Sequence, residues 1–242
     1  FLLFVMLKIL YSNRFCYNDV MKQSPISNPL EKYFRNNKTR RIIKWAHYFD
    51  IYHQYFSKYR GGKVTILEFG VADGGSLQMW KHYFGKKAKV IGVDINSRCK
   101  DLVEDQIEIY IGDQGSRSFL KKLIKKTGAL DIVIDDGGHF MKQQIITFQE
   151  MFQAIKKRGI FVTEDLHTSY WKDFGGGYKK ASTFIEYSKN LIDQIQAWHS
   201  KDPRLKINDI TRTLKSIHAY DSMVVFEKDE VKLSRSETTG NY

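Results

Sequence analysis

Two short acidic segments carry the residues best suited to chemistry in this sequence. Asp135-Asp136 and Glu164-Asp165 each follow an apolar run that is typical of a buried strand. Carboxylates gathered in neighbouring loops repel one another unless a cation neutralises them. Oxygen ligands of this kind select Mg²⁺, Ca²⁺ or Mn²⁺ over zinc. We therefore predict a hard divalent cation at these carboxylates. The alternative is that some of them cap helices while the rest face water.

Two histidines lie beside these acids. His139 is three residues after Asp136, and His167 is two residues after Asp165. A metal ion lowers the pKa of a bound hydroxyl, and a neighbouring imidazole can then take the proton. We predict that His139 is this base and that His167 is the competing candidate. The alternative is that either histidine is only structural.

Aromatic residues surround a short glycine run that follows the second acidic segment. Tyr170, Trp171 and Tyr178 flank Gly175–Gly177. Aromatic rings pack against the C–H faces of sugars, and a glycine run lets a loop move. These residues are predicted to form a substrate platform or lid, unless they are core residues beside a surface turn.

A glycine-rich turn follows the first predicted strand, in the segment Glu68-Phe69-Gly70-Val71-Ala72-Asp73-Gly74-Gly75-Ser76. Glycines at Gly70 and Gly74 let the backbone turn tightly and approach a ligand. Their spacing differs from the GxGxxG of dinucleotide-binding folds. The Glu68 carboxylate would repel a diphosphate but tolerate a cationic sulfonium ligand. The segment, including Ser76, is therefore predicted to bind a sulfonium donor, and a simple tight turn is the alternative.

Polar residues also follow the next two strands. Asp94 stands where an acid typically accepts hydrogen bonds from ribose hydroxyls. Asp113 and Gln114 follow the third strand, at a place suited to reading an adenine edge. Taken in series, these residues predict a nucleoside-like ligand, whereas a helix cap or a solvated acid is the alternative for Asp94.

Strands alternate with helices through most of the chain, which predicts right-handed βαβ units and a mainly parallel sheet. We predict a helical appendage and linker over residues 1–60, one α/β domain over 61–228 and a flexible tail over 229–242. Within the appendage, an apolar spacing of three or four predicts helix over residues 30–60, through Ile42, Ile43, Ala46, Phe49 and Tyr52. Ligands of such sheets bind beyond the carboxyl ends of the strands, where the acids lie. The predicted strands are Val64–Phe69, Val90–Val93, Ile107–Ile111, Leu130–Ile134 and Ile160–Thr163, followed by a hairpin of Ile217–Tyr220 and Met223–Phe226.

The bulk composition limits the classes of protein to which this chain could belong. Of 242 residues, 42% are hydrophobic, which is enough for a core and argues against disorder. The net charge of +12 favours anionic partners such as nucleic acid, although the basic residues are scattered. Cys16 and Cys99 show no paired spacing, which favours a reducing, cytoplasmic compartment. The apolar run over residues 1–10 is shorter than the roughly 20 residues that span a bilayer.

In order along the chain, these segments resemble the class I methyltransferases. More narrowly, they resemble the metal-dependent sugar O-methyltransferases of macrolide-antibiotic biosynthesis, the mycinamicin type. The resemblance runs from about Val64 to Trp171 and more faintly to Phe226. The matching motifs are Glu68–Val71 with Gly74–Leu77, Met79–Lys81, Gly92–Ile95, Ile134–Gly137 with His139, and Glu164–Leu166 with Thr168–Trp171.

The resemblance implies a Rossmann-like α/β fold with a seven-stranded, mainly parallel sheet and a C-terminal antiparallel hairpin. It implies S-adenosylmethionine as donor and Mg²⁺, or another hard divalent cation, as cofactor. The implied metal ligands are Asp136, Glu164 and Asp165, and the implied base is His139. The donor would lie at Glu68, Gly70, Asp94, Asp113 and Asp135. His167 stands where the family would have a glutamine, so the choice of base stays open.

The functional hypothesis is transfer of a methyl group to a hydroxyl of a sugar, glycan or other small-molecule diol. We also expect a homo-oligomer as one form of assembly. Two other classes stay open: a nucleic-acid methyltransferase or binding protein, which the charge favours, and a Rossmann-fold protein of different chemistry, such as a hydroxylase-like protein or a dehydrogenase.

Overall fold

The computed structural model describes residues 27–240. The predicted appendage over residues 1–20 and most of the linker before Pro29 therefore lie outside the described residues. Within them, one seven-stranded sheet has the order β3-β2-β1-β4-β5-β7-β6. Its strands are β1 Thr65–Phe69, β2 Lys89–Asp94, β3 Ile107–Ile111, β4 Leu130–Asp135, β5 Ile155–Thr163, β6 Leu214–Tyr220 and β7 Met223–Lys228.

The first five strands pair in parallel, and β7 pairs antiparallel with both β5 and β6. The predicted parallel sheet with a terminal hairpin is confirmed. All five predicted parallel strands are present, and β5 begins five residues earlier than predicted. The hairpin turns at Asp221-Ser222, where Ser222 has a φ of 60°.

Helices cover both faces of the sheet. β1 shows why: Ile66 packs into one hydrophobic cluster with Trp80, while Leu67 packs into a second cluster with Phe148. A strand buried on both faces does not alternate apolar with polar residues, and β1 is apolar apart from Thr65 and the buried Glu68. The α-helices are α1 Pro29–Asn36, α2 Tyr48–Phe56, α3 Gly75–Phe84, α4 Arg117–Thr127, α5 Met141–Ala154, α6 Phe184–Ile195 and α7 Asp209–Thr213.

The prediction of helix across residues 30–60 is wrong in its middle. α1 and α2 are separate, and residues 37–47 form an irregular segment between them, which we call the strap. The strap lies directly on the start of α3, since a Cβ added at Gly75 would come within 2.4 Å of the Arg41 carbonyl oxygen. The apolar spacing through Ile42 and Ile43 arises because these residues pack on the site, and it is not helical periodicity.

Among residues 27–240, no helix combines the length and apolar character needed to cross a bilayer.

Candidate active site

A cavity of about 510 Å³ opens at the carboxyl ends of β1, β2 and β4. We call it the donor cavity, after the ligand that the sequence predicts for it. Its wall includes six residues that follow one of the first four strands and are predicted to bind a donor or a metal: Gly70, Ser76, Asp94, Asp113, Gln114 and Asp136. The strap forms another of its walls. The sequence therefore predicted the position of this cavity correctly.

The glycine turn is held against the loop after β4. Gly70 has a φ of 89°, and a Cβ on it would lie 2.0 Å from the Asp136 carbonyl oxygen. Only glycine permits both this φ and this approach. Gly74 has a φ of 76° and caps α3 at its N-terminus without lining the cavity.

Asp94 fixes the same turn from the other side. Its Oδ2 accepts hydrogen bonds from the backbone N–H groups of Val71 and Ala72, at 2.9 and 3.2 Å. Its Oδ1 accepts from the backbone N–H of Asn96 at 2.8 Å. Asp94 therefore shapes the turn, and its carboxylate still lines the donor cavity.

Glu68 and Asp135 lie beneath the cavity rather than in its wall. Both are fully buried. Glu68 Oε2 accepts from Ser76 Oγ at 2.6 Å and from Trp80 Nε1 at 3.1 Å. Asp135 Oδ1 accepts from Gln114 Nε2 at 2.8 Å, and burial raises the pKa of Asp135 to about 6. Neither residue lines the cavity, and the donor contact of these two carboxylates, implied by the resemblance, stays a prediction.

A second cavity of about 480 Å³ lies on the other side of the acidic cluster. We call it the acceptor cavity, after the hydroxylated substrate that the sequence predicts. The two cavities share four wall residues: Ile43, Lys44, Asp136 and Asp165. Aromatic and polar side chains from the strap, from the loop after β5 and from the hairpin turn complete the wall; they include Trp45, His47, Tyr48, His167, Trp171 and Ser222.

Asp136, His139 and Asp165 meet where the cavities join. One ligand atom from each lies within 4.8 Å of the others. His139 Nε2 is 3.6 Å from Asp165 Oδ2 and 4.0 Å from Asp136 Oδ1. Burial raises the pKa of Asp136. This juxtaposition brings together two of the three predicted metal ligands and the predicted base.

Two of the seven non-glycine residues with positive φ in the described part of the chain belong to this cluster. His139 has a φ of 57° and Asp165 a φ of 55°, a conformation that is uncommon for residues other than glycine. Such strain persists only where the surroundings enforce it, and it tends to occur at functional sites. His139 Nδ1 is buried without a hydrogen-bond partner, so only Nε2 faces the acids.

Glu164, the third predicted metal ligand, is fully buried and already engaged. Its Oε1 accepts from the Tyr52 hydroxyl at 2.6 Å, and its Oε2 accepts from Lys44 Nζ at 2.8 Å. Burial and the neighbouring Asp136 raise the pKa of Glu164 well above its ordinary value, although Lys44 opposes this.

Lys44 belongs to the acidic cluster and was not predicted from the sequence. Its side chain is 2% exposed, and Nζ lies 2.6 Å from Asp136 Oδ2 and 3.3 Å from Glu68 Oε1. Burial alone would lower the pKa of Lys44, but the attraction of Asp136, Glu164 and Glu68 raises it well above its ordinary value. In a chain so rich in lysine, no local pattern distinguishes this one.

His167 belongs to the acceptor cavity. Its Nδ1 pairs with Ser222 Oγ on the hairpin turn, and its ring meets Trp45 and Trp171 at centroid distances of 5.8 and 4.7 Å. Burial lowers the pKa of His167, so the neutral imidazole is favoured.

Of the three aromatic residues predicted to form a substrate platform, one lines a cavity. Trp171 lines the acceptor cavity, whereas Tyr170 and Tyr178 are exposed and contribute to neither cavity. Trp45 supplies the second aromatic wall. Sequence reasoning missed it because the strap was predicted to be helix.

No protein-family model matches the chain. It is 34% identical over 198 residues to an 8-demethyl-8-alpha-L-rhamnosyl tetracenomycin-C 2'-O-methyltransferase of Streptomyces olivaceus, covering 76% of this chain and 51% of that protein. It is 33% identical over 188 residues to a mycinamicin VI 2''-O-methyltransferase of Micromonospora griseorubida, covering 73% and 47%.

Among solved structures, a MycE methyltransferase from the mycinamycin pathway, in complex with Mg, SAH and mycinamycin VI, superposes with a TM-score of 0.74 at 30% identity. The match covers 86% of this chain and 54% of that one. This chain has the class I methyltransferase fold. The predicted resemblance to the sugar O-methyltransferases is confirmed in sequence and in structure. The chain spans about half the length of the curated relatives that it matches.

Proposed function

We propose that this chain is an S-adenosylmethionine-dependent, Mg²⁺-dependent O-methyltransferase that acts on a hydroxyl of a sugar or a similar diol. One observation carries the proposal: a donor cavity and an acceptor cavity meet at Asp136, His139 and Asp165. A transferase needs two ligand sites that share a boundary, with its polar groups at that boundary.

The donor cavity fits a nucleoside with a sulfonium group. Asp94 and Asp113 offer carboxylates at the ends of β2 and β3, and the glycine turn brings the backbone close to the ligand. The relatives support this choice, since the MycE structure contains SAH.

The acidic cluster fits a hard divalent cation, because its oxygen donors are carboxylates on two adjacent loops. Asp136 and Asp165 would hold the ion, with Glu164 as the third ligand. When bound, Mg²⁺ would lower the pKa of a hydroxyl and orient it.

The chain's own residues would perform the remaining tasks. His139 Nε2 faces the acids and would accept the proton of the acceptor hydroxyl. Trp45 and Trp171 would pack against the acceptor and exclude water from the boundary. Most of the acceleration would come from orientation of the two ligands, together with electrostatic stabilisation of the developing alkoxide.

We also propose a cytoplasmic location, which is supported by two cysteines without paired spacing. Assembly into a homo-oligomer stays a prediction.

The test has two stages. Calorimetric titration should show binding of S-adenosylhomocysteine and no binding of NAD. Transfer of a labelled methyl group from S-adenosylmethionine to a rhamnoside acceptor should then require Mg²⁺, stop in EDTA and resume when Mg²⁺ is restored. NAD binding without S-adenosylhomocysteine binding would overturn the proposal in favour of a dehydrogenase. Full transfer in EDTA would overturn the metal role alone.

A further inference from the structure

The Lys44 ammonium contacts two of the three predicted metal ligands. Its Nζ lies 2.6 Å from Asp136 Oδ2 and 2.8 Å from Glu164 Oε2, which are oxygens of two predicted metal ligands. The Lys44 and Glu164 side chains are almost completely buried. An ion pair with this geometry and this little water is a specific, strong interaction rather than a surface contact.

The Lys44 ammonium compensates negative charge that would otherwise destabilise the folded state. Asp136, Glu164 and Glu68 bring carboxylates around one point. Buried carboxylates without a counter-ion either take up protons or destabilise the fold. Lys44 is the cation that meets all three of them among the described residues.

Lys44 and a divalent ion therefore compete for the same oxygens. An ion held by both Asp136 and Glu164 needs oxygen ligands at about 2.0–2.6 Å. Two cations on the same pair of carboxylate oxygens would repel each other strongly in a site with little water. The two modes of occupancy exclude each other.

We propose that Lys44 is a built-in counter-ion of the cation site, and that the divalent ion displaces it on binding. The inference rests on the proposed function, because it concerns the same metal. It goes beyond that function by linking metal binding to the strap.

Displacement of Lys44 would affect the acceptor cavity, because strap residues beside Lys44 line that cavity. Ile43 and Trp45, the neighbours of Lys44, line the acceptor cavity and are 59% and 43% exposed. Within residues 42–46, Lys44 makes the only side-chain hydrogen bonds to the rest of the domain in the described structure. Release of this anchor would loosen the strap, so metal binding would precede and permit acceptor entry.

The experiment uses Mn²⁺ as the probe, with neither donor nor acceptor present. Free Mn²⁺ is measured by electron paramagnetic resonance for the wild type, Lys44→Met and Lys38→Met. Lys38 is an exposed strap residue, so its variant removes the same charge without touching the site. Hydrogen exchange of strap amides is measured in the wild type and in Lys44→Met, with and without saturating Mn²⁺.

We expect Lys44→Met to bind Mn²⁺ about tenfold more tightly than the wild type or more, and Lys38→Met to stay within about twofold. Mn²⁺ should accelerate strap exchange in the wild type and leave it unchanged in Lys44→Met. If Lys44→Met does not fold, hydrogen exchange of the wild-type strap with and without Mn²⁺ tests the inference. Wild-type Mn²⁺ binding with unchanged strap exchange would overturn the inference and leave the proposed function intact. Absence of Mn²⁺ binding to both wild type and Lys44→Met would overturn the metal role and the inference together, whereas the S-adenosylhomocysteine titration would still test the donor.

Discussion

The carboxyl of Asp135 makes the stability of this protein depend on pH. Burial raises its pKa from 3.8 to about 6 in the folded chain. The folded state therefore holds the proton more tightly than the unfolded state. This contribution to stability is complete below pH 3.8 and is lost as pH rises through about 6, a loss of about 3 kcal/mol.

Asp135→Asn should abolish this loss, because an amide stays neutral and can still accept from Gln114. We expect the free energy of unfolding of the variant, relative to wild type, to rise by about 3 kcal/mol between pH 4 and pH 7. Urea unfolding in EDTA across this range measures the difference. A constant difference between the two proteins would show that Asp135 ionises normally when folded.

We predict different effects on turnover for substitution of His139 and of His167. His139 Nε2 faces Asp136 and Asp165, whereas His167 Nδ1 is held by Ser222. We expect His139→Ala to lower kcat by a factor of about 10²–10⁴ while S-adenosylhomocysteine affinity stays unchanged. His167→Ala should raise KM more than it lowers kcat, because the ring packs on Trp45 and Trp171. Normal turnover in His139→Ala would assign the base to His167 or to solvent.

Individual site residues were predictable only where they follow a strand. Asp136, His139 and Asp165 could be identified because the carboxyl ends of parallel strands share one edge, so separate segments converge there. Lys44 could not, since its partners Glu68, Asp136 and Glu164 lie 24, 92 and 120 residues away. A lysine carries no periodic signal, and contacts at such separations leave none in a single sequence.

At the scale of elements, the turn after β1 depends on its close approach to the loop after β4. Gly70→Ala would place a Cβ 2.0 Å from the Asp136 carbonyl oxygen. Gly61→Ala is the matched control, because Gly61 has a φ of 74° but no atom within 4 Å of an added Cβ. The control isolates the strain of a positive φ from the clash.

We expect Gly61→Ala to lower the free energy of unfolding by about 1 kcal/mol and Gly70→Ala to lower it by at least about 3 kcal/mol. Gly70→Ala should also weaken S-adenosylhomocysteine binding, since the shifted turn lines the donor cavity. Denaturant unfolding and calorimetry measure the two effects. Equal losses of stability in the two variants would mean that the loops can separate freely.

The strands of the sheet were predicted well, and the strap was not. β1 and β4 are apolar runs bounded by glycines or acids, a pattern that burial on both faces imposes locally. The strap has Ile42 and Ile43 at spacings that suit a helix, and its conformation is decided by contact with Gly75 and the acidic cluster. Tertiary contacts therefore override the local pattern.

For the whole molecule, we expect that the net charge of +12 does not form a nucleic-acid surface, because the basic residues are scattered along the chain. Several basic side chains are paired with acids, including Lys89 with Glu108 and Lys156 with Asp131. We expect RNA binding to be weaker than about 1 µM at about 150 mM salt and to fall steeply as salt rises. Fluorescence anisotropy with a labelled RNA measures this. Tight binding that resists salt would instead favour a nucleic-acid methyltransferase.

The contact between Tyr48 and Ser222 affects the order in which the two cavities form during synthesis. The Tyr48 hydroxyl lies 3.0 Å from the Ser222 carbonyl oxygen across a separation of 174 residues. The donor cavity draws its walls from residues 41–143, with Asp165 as the exception. During synthesis the chain emerges from its N-terminus, so the acceptor cavity is completed only after the hairpin turn leaves the ribosome. A nascent chain would therefore acquire the acceptor cavity last, and the proposed methyl transfer would begin only after the hairpin turn has packed against Tyr48.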